Sequence, residues 1–275
     1  MVKKRRLWVS VLLSILTPGL GQLYNGRPWR SAIFFCLLVF FTTIVSWTNA
    51  LVSFEGLVAL LGTSLLVWLY MLFDTARLSL TGSEYELRWY NRWYYYLGAV
   101  LAALVVQQLQ PQFGSSYQTF RMRSSSMAPT IMVGDCVVAS KVALTRASIT
   151  RDDIVVFNQE VGGDTIRSIK RVIGLPGETI SIRGPKVYIG GKELTEPYAT
   201  WQEGGIPESD FPETTIPENS YFVLGDNRDH SKDSRFYPDY FIKSEKIIGR
   251  PQYIYWSSAD RSRIGRRLMG KALRE

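Results

Sequence analysis

The sequence predicts an α-helical membrane anchor followed by an all-β domain of Greek-key or barrel type. Apolar runs dominate from Leu7 to about Leu109. After Pro111 the chain breaks into short segments rich in Val, Ile, Tyr and Phe, bounded by Gly, Asp, Asn and Pro. None of those later segments sustains a 3.6-residue period, so strands rather than helices are expected there.

The anchor is expected over 1–110. A bilayer crossing needs roughly 20 apolar residues, and three runs are read as long enough to cross, at about 31–54, 56–73 and 93–109. The third opens on Trp93, Tyr94, Tyr95 and Tyr96, an aromatic cluster suited to a membrane interface. An earlier run, 7–16, is too short to cross and ends at Pro18 and Gly19, which break a helix. Residues 7–24 are therefore read as re-entrant or interfacial. A cleaved signal peptide is the rival reading, because Lys3, Lys4, Arg5 and Arg6 precede the run, but no small-x-small site follows it. The stretch from Pro18 to Gly26 resembles the Pro-Gly-x-Gly-Gln-x-Tyr-x-Gly motif of small two-helix membrane modules. On its own it reads as a helix-breaking turn.

Charge orients the anchor. If 7–24 does not cross, all nine Lys and Arg residues before position 110 fall on one side, which the positive-inside rule makes the cytoplasm. Three crossings then put residues from 111 onward outside. Net charge is +5 over 1–110, −2 over 111–260 and +5 over 261–275. The β domain is thus no nucleic-acid binder despite a pI of 9.4. The positive charge sits where anionic lipid headgroups are the expected partner. Residues 261–275 read as a basic tail, either a short helix at the membrane surface or a solvated segment.

Within 111–260, strands are expected at 136–142, 153–158, 165–173, 179–183, 186–189, 221–224 and 246–256. Tight turns are expected at Gly184-Pro185 and Gly190-Gly191, and a loop over 200–217. Cys36 and Cys136 fall in different halves and suggest no bridge. Two cysteines and one histidine leave no plausible zinc site, and no metal or cofactor is expected.

Three clusters carry chemistry. In the first, Ser124, Ser125 and Ser126 precede Met127, Ala128, Pro129 and Thr130. A serine hydroxyl there is a weak nucleophile unless a base adjoins it. In the second, Lys170 lies in an apolar strand whose alternation puts Ser168, Lys170 and Val172 on one face and Arg167, Ile169 and Arg171 on the other. An inward lysine has a lowered pKa and serves as a neutral base; an edge lysine facing solvent is the plain alternative. The third runs from Gly225 to Arg235 and is dense in turn formers and charge. His230, the single histidine, lies in that charged turn, which argues against a Ser/His/Asp triad.

Together these clusters resemble the bacterial type I signal peptidases. Ser126-Met127-Ala128-Pro129-Thr130 matches the family's nucleophile box, and Gly134-Asp135 the next. Lys170-Arg171-Val172-Ile173-Gly174-Leu175-Pro176-Gly177-Glu178 matches the lysine box. Gly225 to Asp229 with Ser231, Asp233, Ser234 and Arg235 matches the last. The resemblance covers roughly 118–256. It implies the signal peptidase β fold, with Ser126 as nucleophile and Lys170 as general base. It further implies Ser124 as an oxyanion donor beside the Ser126 backbone N–H, Ser231 orienting the lysine, and Asp233 with Arg235 as a supporting ion pair. It aligns Phe120, Met122, Ile131 and Ile169 with the apolar substrate pocket that selects Ala-x-Ala before the cleaved bond. The implied partners are signal-peptide-bearing preproteins and membrane lipids. The implied setting is the bacterial plasma membrane, with a multi-pass anchor, a monomeric chain and the catalytic domain on the extracytoplasmic side. Ser126 lies 16 residues past Gln110, so it stands no more than ~58 Å from the membrane.

Two departures stand out. Arg123 occupies a position that is usually proline in the family. Only 46 residues separate Glu178 from Gly225, which leaves no room for a large second β-domain. A specialised maturation peptidase for pilus, secretion or conjugation proteins is the first alternative, and a non-catalytic membrane scaffold the second.

Overall fold

The helical part begins with a ten-residue helix, α1 (Leu7–Leu16), and a short α2 (Leu20–Tyr24), followed by α3 (Pro28–Trp47), α4 (Phe54–Thr81) and α5 (Trp93–Leu109). The computed structural model describes residues 2–3, 5–47, 53–81, 85–86, 88–109, 117–141, 149–161, 163–201 and 210–268. It divides into two units, Met1–Phe113 and Gly114–Glu275.

In the first unit, α1 ends where Pro18 and Gly19 stand, and Gly19 adopts φ +95°. A β-carbon on Gly19 would lie 2.5 Å from the Ser31 carbonyl oxygen, and one on Gly21 would lie 2.4 Å from the Ser10 carbonyl oxygen. These glycines let α2 press against α1 and the start of α3 at backbone distance. The rest of the Pro18–Gly26 motif does more than turn the chain. Gln22 Nε2 donates to the Met71 carbonyl at 3.0 Å, and Asn25 Nδ2 donates to Ser10 Oγ at 2.8 Å and to the Thr75 carbonyl at 2.9 Å. Ser79 Oγ donates to Asn25 Oδ1 at 3.0 Å, and Arg30 pairs with Asp74.

This polar seam explains why α4 outruns the apolar stretch. The run was expected to end at Phe73, yet the helix continues through Asp74, Thr75 and Ser79 to Thr81. Those side chains are buried and partnered by α1, α2 and Arg30 rather than facing solvent.

Among the described residues, α4 alone is both long and apolar enough to cross a membrane; 7–16, 28–41 and 93–106 are shorter apolar helical stretches. By length and composition, the second of the three expected spans is matched among the described residues. The α3 helix is described only to Trp47, and 48–52 lie outside the described residues.

The second unit is built of antiparallel strands. One sheet contains β3 (Tyr117–Arg121), β4 (Asp135–Ser140), β5 (Ile154–Val161), β6 (Asp164–Gly174), β11 (Ser220–Leu224), β12 (Ile242–Lys243) and β13 (Ile247–Ser257). Its seven strands run in the order β12-β11-β6-β5-β13-β4-β3. A second sheet contains β7 (Thr179–Arg183), β8 (Lys186–Ile189), β9 (Lys192–Glu193) and β10 (Phe211–Thr215), in the order β10-β7-β8-β9. A two-stranded pair, β1 (Val2–Lys3) with β2 (Tyr85–Glu86), belongs to the helical unit.

Local chemistry accounts for the hairpins. Arg183 pairs with Lys186 across Gly184-Pro185, and Ile189 pairs with Lys192 across Gly190-Gly191. Both glycines of the latter turn have positive φ, 54° and 76°, the geometry of a tight two-residue hairpin turn. The expected loop over 200–217 is only partly a loop. Phe211–Thr215 forms β10 against β7, because Phe211 inserts beside Phe222 in the core. Residues 202–209 lie outside the described residues.

The core has three parts. Met122, Met127, Ile131, Val137, Ile154, Ile169 and Ile254 form one cluster, and Val155, Phe157, Val172, Tyr221 and Val223 form another. The third joins the two sheets through Ile173, Ile180, Ile182, Phe211, Phe222 and Leu224.

The segment after Asp260 departs from the expected basic tail. Leu268 is 4% exposed and belongs to the first cluster. Its N–H donates to the Gln252 carbonyl at 2.8 Å. Arg263 is buried, and its guanidinium donates to Asp135 at 2.8–3.3 Å. Four arginines between 261 and 268 hid a docked segment held by one apolar anchor and one buried ion pair. Residues 269–275 lie outside the described residues.

Candidate active site

Ser126 lies in a run of turns between β3 and β4, just before the cis Ala128–Pro129 peptide. Met127 and Ile131 anchor that run, both at 0% exposure, and the Ile131 N–H donates to the Met127 carbonyl at 2.8 Å. Apolar burial immediately after it thus holds Ser126 at the edge of the core. It is 4% exposed, while Ser124 and Ser125 are exposed. Ser124 Oγ lies 3.1 Å from Ser126 Oγ.

Lys170 enters from β6. The first half of that strand, from Asp164 to Arg167, is exposed, and the strand becomes buried from Ile169 onward. Lys170 stands opposite Val155 of β5 and is 5% exposed. Alternation holds as expected: Ile169 joins the cluster of Met122 and Ile131, and Val172 joins that of Val155 and Val223. Burial pushes the Lys170 ammonium down from the ordinary value of 10.5 to about 8. The Asp233 carboxylate opposes that shift, the Arg235 guanidinium adds to it, and Asp226 opposes it weakly.

The loop from Gly225 to Arg235 touches the Ser126 turn and supplies the charges that act on Lys170. The Asn227 N–H donates to the Ser126 carbonyl at 3.1 Å, and Asn227 Nδ2 to the Ser125 carbonyl at 3.2 Å. Gly225 has no room for a side chain, because a β-carbon there would lie 2.2 Å from Ser231 Oγ and 2.4 Å from the Ser126 carbonyl oxygen. Ser231 and Ser126 therefore approach one point from two sides. Asp233 and Arg235 form a buried two-bond pair at 2.8 and 2.9 Å, and Asp233 also accepts from the Gly225 N–H at 3.0 Å. Ser231 Oγ is buried and makes no hydrogen bond among the described residues, so the bond that would orient Lys170 is not formed here.

The four pocket residues come together in one apolar cluster. Met122, Ile131 and Ile169 are 6%, 0% and 7% exposed, so they are mainly core; Phe120 is half-buried and gives that cluster an open flank. Arg167 stacks over the Phe120 ring at 5.9 Å, and Arg123 is exposed. His230 is exposed at the end of a short turn. Among the described residues no group of His, Cys, Asp and Glu is arranged to hold a metal.

Sequence reading missed a second layer. Arg171 makes two bonds to Asp226 at 2.8 and 2.6 Å, and its guanidinium lies 4.0 Å over the Tyr198 ring. Arg228 binds Glu196, and Thr200 binds Asp226. The partners lie 26 to 55 positions apart, and no local pattern announces them.

The β unit thus holds a buried serine hydroxyl and a buried amine whose proton is loosened by burial, the two groups that acyl transfer without histidine requires. The comparisons agree with that class. Residues 92–256 match the signal peptidase family, peptidase S26. The chain is 32% identical over 164 residues to signal peptidase I T of Bacillus subtilis, covering 58% of this chain and 80% of that one. It is 34% identical over 140 residues to the probable signal peptidase I-2 of Synechocystis, covering 48% and 60% respectively. It is also 36% identical to a signal peptidase I of Enterococcus faecalis of solved structure, over 37% of this chain and 95% of that one, with a TM-score of 0.32. The chain belongs to the S26 signal peptidase family, and it is a serine peptidase by that membership.

Proposed function

We propose that this chain is a signal peptidase I that removes N-terminal signal peptides from exported preproteins at Ala-x-Ala-like sites. The observation that carries this reading is the joining of Ser126, the buried Lys170 and the Gly225–Arg235 loop in one β unit.

Ser126 Oγ attacks the scissile carbonyl carbon while the neutral Lys170 amine takes its proton. The Ser126 N–H and the Ser124 hydroxyl donate to the developing oxyanion. The C–N bond breaks, and the lysine proton passes to the leaving amine. Water, deprotonated by Lys170, then resolves the ester and releases the signal peptide. Ser231 orients the amine once substrate is bound, and the Asp233–Arg235 pair holds the loop that carries it. Phe120, Met122, Ile131 and Ile169 give the apolar surface that receives small side chains.

The family is membrane-associated, and α4 is long and apolar enough to cross. In this reading α3 and α5 cross beside it. The nine basic residues before position 110 are cytoplasmic, and the β unit works on the outer side. Protection from protease added to intact cells would contradict that sidedness for residues after 111.

The direct test is incubation of the purified full chain with a preprotein bearing an Ala-x-Ala site. Mass analysis of the product should give a single new N-terminus after that site. Replacing the last alanine before the bond with Phe should abolish the product. Cleavage that ignores that change would refute the assignment.

A further inference from the structure

Between β9 and β10, residues 196–200 meet both halves of the site through alternate side chains. Glu196 accepts from Arg228 Nη1 at 2.9 Å, and Arg228 Nε in turn donates to the Gly225 carbonyl at 3.0 Å. Tyr198 Oη donates to Asp152 Oδ1 at 2.7 Å, and the Tyr198 ring lies under the Arg171 guanidinium. Burial and the adjacent carboxylates of Glu196 and Asp152 raise the Tyr198 hydroxyl far above its ordinary value, so it stays a donor at any working pH.

Thr200 makes the most direct link. Its N–H donates to the Asp226 carbonyl at 2.7 Å, and its carbonyl accepts from the Arg228 N–H at 3.0 Å, a parallel bridge to Asn227. Its hydroxyl lies 3.2 Å from the Ala128 carbonyl oxygen and 3.3 Å from that of Asp226. One hydroxyl therefore stands between the nucleophile loop, two residues past Ser126, and the loop that carries Ser231. The backbone N–H and the side-chain amide of Asn227 donate to the Ser126 and Ser125 carbonyls of the same loop, and Arg263 donates to that of Thr130.

We propose that Thr200 is a positioning residue: its backbone holds the Gly225–Arg235 loop, and its hydroxyl ties that loop to the carbonyl of Ala128 and so sets where Ser126 stands. It touches no reacting atom. The proposal rests on the peptidase reading above for its kinetic expectation, and on geometry alone for its structural one. A displaced nucleophile lowers the rate of acylation without loosening substrate, because the apolar surface at Phe120 and Ile169 is held by β3 and β6.

The experiment compares wild type with Thr200→Val, which keeps the shape and removes the hydroxyl, and with Thr200→Ser, which restores it. With a preprotein substrate, Thr200→Val is expected to lower kcat about tenfold at unchanged KM, the scale of a lost positioning contact near a reacting group. Thr200→Ser should return to within about twofold of wild type. In the same samples, amide hydrogen exchange by mass spectrometry should rise in peptides covering 122–134 and not in those covering β5 and β13. Should Thr200→Val not fold, Thr200→Ala against Thr200→Ser isolates the hydroxyl in the same way. Equal kcat with and without the hydroxyl, or unchanged exchange over 122–134, overturns the proposal. A wild-type chain that cleaves nothing contradicts the peptidase reading instead, and the exchange measurement still decides the role of Thr200.

Discussion

Raising the pH from 7 to 9 is expected to speed cleavage through Lys170 alone. The amine acts as base only when neutral, and burial brings its pKa to about 8. The neutral fraction is then about 10% at pH 7, half at pH 8 and about 90% at pH 9. If acylation limits kcat/KM, that quantity rises about ninefold across the window, with one ionisation on its acid limb. The neighbours give a second handle. The Asp233 carboxylate favours the charged amine, so Asp233→Asn should move the limb to lower pH while lowering the overall rate. The assay is initial cleavage rate of a preprotein by the full chain in detergent, at substrate well below KM, from pH 6 to 10. A flat profile between 7 and 9 would refute the neutral-lysine reasoning, and so would a limb that Asp233→Asn moves toward higher pH.

Stability, helical packing and the docked C-terminal segment give further tests. Because the folded-state pKa of Lys170 lies below its unfolded value near 10.5, the cost of burying the ammonium is full below pH 8 and relieved as pH rises toward 10.5. Lys170→Met should therefore raise unfolding free energy by about 3 kcal/mol at pH 7 and by well under about 1 kcal/mol at pH 10.5, as read by urea unfolding; a gain that does not shrink with pH contradicts the assignment. Arg263→Ala leaves Asp135 buried without its partner and should cost roughly 3–5 kcal/mol by the same measurement; a loss under 1 kcal/mol would mean that the segment after Asp260 does not dock. Gly21→Val places carbon against the Ser10 carbonyl and the Ser14 and Thr75 hydroxyls. It should open α1 and α2 to proteolysis in micelles, and wild-type resistance would contradict the packing of the Pro18–Gly26 motif.

The strands that proved most legible were those whose turns are written in glycine. The 179–183 and 186–189 strands coincide with β7 and β8, because Gly184 and Gly190-Gly191 mark the reversals on both sides. Lys170 was legible as an inward residue because strand alternation is strict. What escaped notice depends on partners distant in the chain. The α4 helix outlasts its apolar run because Gln22, Asn25 and Arg30 meet Asp74, Thr75 and Ser79. Phe211–Thr215 pairs with β7 across a Gly- and Pro-rich stretch that reads as loop. The segment carrying Glu196, Tyr198 and Thr200 has a two-residue alternation, but its partners Arg228, Asp152 and Asp226 belong to other elements. Leu268 lies among basic residues, so composition points to the surface although the side chain is core.

The central claim is that Ser126 and Lys170 perform the cleavage. Its most direct test is preprotein processing by wild type, Ser126→Ala and Lys170→Ala at pH 9, with circular dichroism spectra confirming that each variant is folded. Wild type should release the signal peptide, and neither variant should do so above background. Wild-type processing by either folded variant contradicts the account.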